Sequence, residues 1–247
     1  MKEWLWNPKT KNSGIITCIP QKGKCPHNCE DCFFQNGRSY LEPLSENLPH
    51  IPSLEITKGR IVRVNDGNDS NNQIDLVVET VKDFDNYFYN TSFIENIEKF
   101  NAPFVLTLNP SEMTDNDFYK LEKVPDNLMF VRIRTNTWNI SKVVDPAIEY
   151  YSSKEIPVIL TFMAYFDKEI PDLYKDDYVY RKRTLNSYWA ITTQAWEETM
   201  SNFKYNSYVY SCGKIEGEKG ETKCSRCGNC IREYHNTKEK LRNLIEK

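Results

Sequence analysis

Short apolar runs alternate with longer amphipathic ones along the middle of this chain. Apolar runs bounded by turn residues predict strands, and apolar positions recurring at helical spacing predict helices. Six strands are expected, over residues 14–19 (GIITCI), 60–65 (RIVRVN), 103–109 (PFVLTLN), 128–135 (LMFVRIRT), 156–165 (IPVILTFMAY) and 207–211 (SYVYS). Asn72 is a candidate cap for a helix whose core face carries Ile74, Val77, Val78 and Val81. Residues 93–100 read as a second helical piece, and Thr114 as the cap of a short helix ending at Leu121. Asp145-Pro146 opens a helix through Tyr151, with proline at its favoured first position. The longest helical pattern runs over 185–203, with Trp189, Ile191, Trp196 and Met200 as core contacts. Strands alternating with helices predict βαβ units and a parallel sheet, hence an α/β fold. Six such units suit a partial TIM-like (β/α)6 barrel with its site at the strand C-termini. From Cys212 the pattern changes to a Gly-, Lys- and Glu-rich cysteine segment, then a charged final helix from about Asn236. The expected division is a core domain over 1–211 and a cysteine-rich, metal-binding extension over 212–247.

The 247 residues are enough for one large domain with a small appendage. Fifteen Tyr and twelve Phe supply apolar mass for a core, which argues against disorder. A net charge of −3 gives no overall basic field for nucleic acid. The first residues, MKEWLWNPKTKN, contain neither a long apolar stretch nor a small-residue cleavage site, and no run reaches membrane-spanning length. The expectation is a cytoplasmic protein with no membrane partner. Thiols stay reduced there, and closely spaced cysteines more often hold metal than form disulfides.

The eight cysteines fall in two groups, four over 18–32 and four over 212–230. Cys25, Cys29 and Cys32 stand in CPHNCEDC, a C-x3-C-x2-C run directly after the first expected strand. Three thiolates so close can each bind one iron of a four-iron cluster and leave the fourth iron open for chemistry. The spacing, its place after the first strand and the aromatic pair Phe33-Phe34 resemble the cluster motif of the radical S-adenosylmethionine (SAM) superfamily. That resemblance implies a (β/α)6 fold, a [4Fe-4S] cluster and S-adenosyl-L-methionine held by the open iron. It implies an enzyme that reductively cleaves SAM to a 5′-deoxyadenosyl radical and takes hydrogen from a substrate the sequence leaves unknown. An electron donor such as flavodoxin or ferredoxin is implied as a partner. Asp31 departs from the pattern, which has an aromatic residue just before the third cysteine. The competing account is a zinc site completed by Cys18 or His27. Cys18 also suits a buried core position, and His27 a plain loop residue.

The family carries a Gly-Gly-Glu-like segment after the second strand, and its carboxylate and backbone hold the SAM amino group. The corresponding loop here reads Asn65-Asp66-Gly67-Asn68-Asp69. The resemblance implies Asp66, Gly67 and Asp69 as cofactor-binding candidates, against an ordinary Asn/Asp/Gly turn. In LMFVRIRT, alternation puts Val131 and Ile133 on one face and Phe130, Arg132 and Arg134 on the other. If the aliphatic face meets the outer helices, the arginines point inward and require an anion, the SAM carboxylate or a substrate group. The alternative is an edge strand with solvated arginines. Thr135 and Asn136 are candidates for ribose hydroxyls. Thr107, Asn109, Thr161 and Met163 are candidate lumen positions, and 163–165 falls where the family passes backbone along the adenine.

Cys212, Cys224, Cys227 and Cys230 give C-x11-C-x2-C-x2-C, a complete set of four ligands. Either a second [4Fe-4S] cluster or zinc fits it. Lys219, Lys223, Arg226 and Arg232 add local positive charge, with a solvated loop as the default and a nucleic-acid contact not favoured. The rival function is a non-catalytic zinc-binding adaptor with two cysteine knuckles that binds nucleic acid or protein.

Overall fold

The computed structural model describes residues 4–29, 32–36, 40–41, 44, 46–109, 120–166, 170–184, 187–212 and 224–246, without the side chains of Phe33 and Asn36. The chain forms a mixed α/β fold. In order it runs β1 (Ile15–Cys18), α1 (Phe33–Asn36), α2 (Leu54–Thr57), β2 (Ile61–Val64), α3 (Ile74–Val81), β3 (Tyr87–Thr91), β4 (Phe104–Leu108) and β5 (Leu128–Thr135). Then come α4 (Asp145–Ser152), β6 (Val158–Phe162), β7 (Ala164–Tyr165), β8 (Tyr178–Arg181), β9 (Tyr188–Ile191), α5 (Thr193–Ser201), β10 (Val209–Cys212), α6 (Cys224–Cys227) and α7 (Asn229–Ile245).

Seven strands pair in parallel in the order β1-β2-β3-β4-β5-β6-β10. Each strand lies beside its predecessor, so right-handed crossovers put the connections on one face and the sheet curls into a half-barrel. The convex side is the main core. Val62, Val64, Tyr89, Leu106, Val131, Ile133, Val158 and Leu160 meet Ile74, Val77 and Val81 of α3 and Ala147, Ile148 and Tyr151 of α4. The concave side carries Ile61, Phe88, Val105, Phe130 and Ile159. A bulge between β4 and β5 sets this phase. Leu128 joins the convex core while Met129 and Phe130 both join the concave cluster.

The concave side is closed by α7. Tyr234, 2 % exposed, packs among the concave residues, 6.3 Å from the Phe88 ring, and its hydroxyl donates to Asn86 Oδ1 at 3.3 Å. Further along α7, Lys240 pairs with Asp126 at 3.2 Å. Asn86 and Asp126 precede β3 and β5, so α7 starts near the strand C-termini and descends to the opposite rim. A separate antiparallel sheet, β7-β9-β8, follows β6, with Trp138, Tyr174 and Trp189 against its core of Met163, Tyr165, Ile170, Tyr178 and Ile191. Among the described residues no helix is long and apolar enough to cross a membrane.

Several elements differ from the sequence expectation. Tyr87–Thr91 is a strand, giving seven where six were expected. Residues 93–100 contain only one 3₁₀ turn, Ile97–Lys99. The expected long helix over 185–203 is β9 followed by α5; Thr192 Oγ1 accepts from Ala195 N at 3.2 Å and so starts the helix there. The fifth expected strand stops at Phe162 and its remainder enters the small sheet. The final helix begins at Asn229, not Asn236. Asn72 does not cap α3, whose N-cap is Gln73 with no side-chain bond. Asp31, Thr114 and most of the helix proposed after Thr114, with Lys219 and Lys223, lie outside the described residues.

Candidate metal centres

The triplet loop leaves the C-terminal end of β1. Ile19 and His50 exchange backbone bonds at 2.8 Å each, which turns the chain out of the sheet. Gly23, at φ 90°, donates to Asn47 O at 2.8 Å. Asn28 N bonds Cys25 O at 3.4 Å and Cys32 N bonds Cys29 O at 3.2 Å, so two tight turns bring the three cysteines round. All three are half-buried. The Cys25 thiol is pushed up to about 11, chiefly by burial, with Asp69, Cys29 and Cys32 adding repulsion. Cys25 is therefore partly desolvated, with Cys29 and Cys32 near enough to act on its charge. Three cysteine thiolates are a donor set that a metal fits. His27 instead stacks on Phe93, ring centroids 3.3 Å apart, and burial lowers its pKa.

The loop after β2 is fastened to the triplet loop. Gln21 Nε2 donates to Asp69 O at 2.8 Å and Asn72 O at 2.7 Å, and Asn68 Nδ2 donates to Gly23 O at 3.4 Å. The buried Asp69 carboxylate accepts from Thr91 Oγ1 at 2.7 Å, Ser92 N at 2.6 Å and Asn71 N at 2.8 Å, which pins the end of β3. Asp66 takes the Arg63 guanidinium and the Asn7 amide. Gly67 lies under the Phe34 ring, where a Cβ would come within 2.5 Å of Cε2 and Cζ. The fold thus brings Gly67 and Asp69 beside the triplet loop, while Asp66 turns to Arg63 and Asn7, so that both carboxylates are engaged by the protein.

The alternation read in LMFVRIRT places Arg132 and Arg134 on the concave side, opposite Val131 and Ile133 in the convex core. Arg132 Nη1 donates to Asn90 Oδ1 at 3.3 Å, and its guanidinium lies 5.6 Å from the Phe130 ring. Register runs Arg134–Thr161–Cys212 across β5, β6 and β10. Asn136 donates to Tyr165 Oη at 2.8 Å and accepts from Trp138 N at 3.1 Å, tying the exit of β5 to the small sheet. Met163 is buried in that sheet's core. Cys18 is fully buried in the convex core, away from either group's ligand role.

The second group also converges. Cys212 ends β10, and its thiol hydrogen-bonds that of Cys227. Cys224 and Cys227 bound the single turn α6, with Cys224 N donating to Lys9 O at 2.9 Å. Gly228, at φ 67°, makes the left-handed step into α7, which a Cβ would strain, and Cys230 follows in the first turn. Asn229 Nδ2 anchors this corner on Ser211 O at 2.9 Å. The Cys212 thiol is pushed up by the Cys227 bond and by burial, and Cys230 by burial. Arg132 acts against both shifts, and Arg63 against that of Cys230. None of the eight cysteines is in a disulfide. Among the described residues no three His, Cys, Asp or Glu side chains already stand in finished metal-holding geometry. The four-thiol set and its flanking cations nevertheless fit a closed metal site. Arg63 was missed in the sequence, although RIVRVN alternates as LMFVRIRT does and puts it on the same face.

Comparison of the chain with protein-family models, curated proteins and solved structures returns no match.

Proposed function

We propose that this chain is a radical SAM enzyme with a partial (β/α)6-type barrel, acting on a substrate of unidentified class. The observation that carries the reading is the Cys25–Cys32 loop at the C-terminal end of β1, clamped by the Asp66–Asn72 loop at the C-terminal end of β2. In parallel α/β sheets, ligands bind at that rim. Cys25, Cys29 and Cys32 would hold a [4Fe-4S] cluster, and Cys212, Cys224, Cys227 and Cys230 a second metal centre. Held by Cys25, Cys29 and Cys32, such a cluster would supply the electron for reductive cleavage of bound SAM. The chain's own part is positional. Gln21, Asn68 and Asp69 fix the two rim loops against each other, Phe34 packs on Gly67, and α7 keeps water from the concave side beneath. The reaction belongs in a reducing cytoplasm, with a flavodoxin- or ferredoxin-type donor.

The test is Cys29→Ala in anaerobically reconstituted protein. SAM cleavage should disappear while metal remains at the four-cysteine site. Loss of metal from both sites together, or zinc in place of iron at both, would instead support a structural protein with two cysteine knuckles.

A further inference from the structure

The two faces of the small sheet β7-β9-β8 differ in character. Register pairs Tyr178 with Ile191, Val179 with Ala190, Arg181 with Tyr188 and Ala164 with Ala190. Tyr165, Tyr178, Trp189 and Ile191 pack into the small core on one side. Alternation then gives Ala164, Phe166, Val179, Arg181, Tyr188 and Ala190 to the other side. All but the exposed Arg181 are half-buried, and no apolar cluster among the described residues takes them in.

The border of this second face is cationic. Arg181, Lys182 and Arg183 run consecutively out of β8 and are exposed, with no ion pair among the described residues. The Arg183 guanidinium lies 4.7 Å from the centre of the Tyr188 ring, and its Nη2 donates to Tyr188 Oη at 2.9 Å. The Phe166 ring centre is 5.6 Å from that of Tyr188. Ser187 Oγ accepts from Arg183 N at 2.9 Å and donates to Arg183 O at 3.1 Å, which steadies the turn that carries the cations. Aromatic rings and a guanidinium plane beside free cations suit a chain that repeats planar bases and phosphates. An acidic peptide would use the cations and leave the rings idle, and a duplex hides the faces of its bases. A net charge of −3 gives no overall basic field, so attraction has to come from this local group.

We propose that the face of β7-β9-β8 opposite the small core is a docking surface for a single-stranded polynucleotide. Phe166, Tyr188 and Arg183 stack bases, and Arg181 and Lys182 pair with phosphates. One residue, Met163, separates β7 from β6, so the surface stands at the C-terminal rim of the half-barrel. This binding does not depend on what the cysteines hold.

The experiment titrates full-length protein into a fluorescein-labelled oligonucleotide of mixed sequence, about 12 nucleotides long, as RNA and as DNA, and follows anisotropy. Binding should saturate and weaken with salt at a log–log slope of about −2, for three cations at about −0.7 each. Binding of either form supports the proposal. Changing Arg181, Lys182 and Arg183 together to Ala should weaken it about tenfold or more and flatten the slope. Changing the exposed Lys58, Lys142 and Lys238 together to Ala removes the same charge elsewhere and should leave the affinity in place. Tyr188→Ala should cost about tenfold through lost stacking, and Tyr188→Phe little. The Arg181–Arg183 variant alters only exposed side chains, so it keeps the test decisive if Tyr188→Ala unfolds the sheet. No binding at low salt, equal loss in the two triple variants, or equal affinity for a duplex of the same sequence overturns the proposal. Binding of labelled polyglutamate in preference to the oligonucleotide assigns the face to an acidic protein and also overturns it.

Discussion

Removing the Tyr234 ring tests whether α7 holds the concave face of the sheet. In Tyr234→Ala the deleted atoms come from a side chain that is 2 % exposed and sits among Phe88, Val105, Phe130 and Ile159. Aromatic-to-alanine changes in such surroundings cost about 3–5 kcal/mol, because the wall of the cavity relaxes only in part. The hydroxyl bond to Asn86, at 3.3 Å and only partly buried, adds under about 1 kcal/mol. Together they give about 4 kcal/mol, a large share of the roughly 5–15 kcal/mol that holds a typical domain. For a chain of this size that corresponds to a fall in melting temperature of about 8–16 °C. Urea unfolding followed by circular dichroism reads the loss as a lower midpoint at unchanged slope. Tyr234→Phe should cost under about 1 kcal/mol. If Tyr234→Ala costs less than about 1 kcal/mol, α7 does not fill the half-barrel and the account of the concave side is wrong.

Three further outcomes follow from the same packing. His50, buried and accepting from Leu5 N at 2.8 Å, has its pKa lowered from 6.5 to about 4, first by burial and against the attraction of Asp66. The unfolded chain therefore binds the extra proton more readily; stability should be flat above pH 6.5 and fall by up to about 3 kcal/mol as the pH drops towards 4, a slope that His50→Gln removes. Gly67→Ala would set a methyl 2.5–2.7 Å from three Phe34 ring atoms, so it should cost about 1–3 kcal/mol and speed alkylation of Cys25, Cys29 and Cys32; equal alkylation rates would mean that the contact does not hold the loop. Cys18, fully buried with its thiol pushed far up by burial, should resist alkylation in the native protein, and Cys18→Ala should cost about 1 kcal/mol without loss of metal.

The convex core was legible because β5, β2 and α3 each present aliphatic residues at the period of their own element. The inward arginines came from the same signal. The β3 strand was hidden because YFYNT buries residues on both faces, Phe88 inward and Tyr89 outward, so it shows no alternation. Phe93, Ile94, Ile97 and Phe100 mimic a helical stripe, but the chain turns at Asn96, at φ 53°; Ile94, Ile97 and Phe100 reach the convex core around a single 3₁₀ turn, and Phe93 stacks on His27 instead. Trp189 and Trp196 share a helical spacing across an actual change of element at Thr192, a capping residue readable as a start signal. For the sites, spacing alone grouped the cysteines. What Arg63 and α7 add depends on strands and a helix far apart in sequence, and no local pattern reports that.

The central claim is tested most directly by the product of SAM. Anaerobically reconstituted protein, reduced and incubated with SAM, should release 5′-deoxyadenosine and methionine, and the iron-loaded protein should be brown. A colourless protein that binds zinc and leaves SAM intact would contradict it.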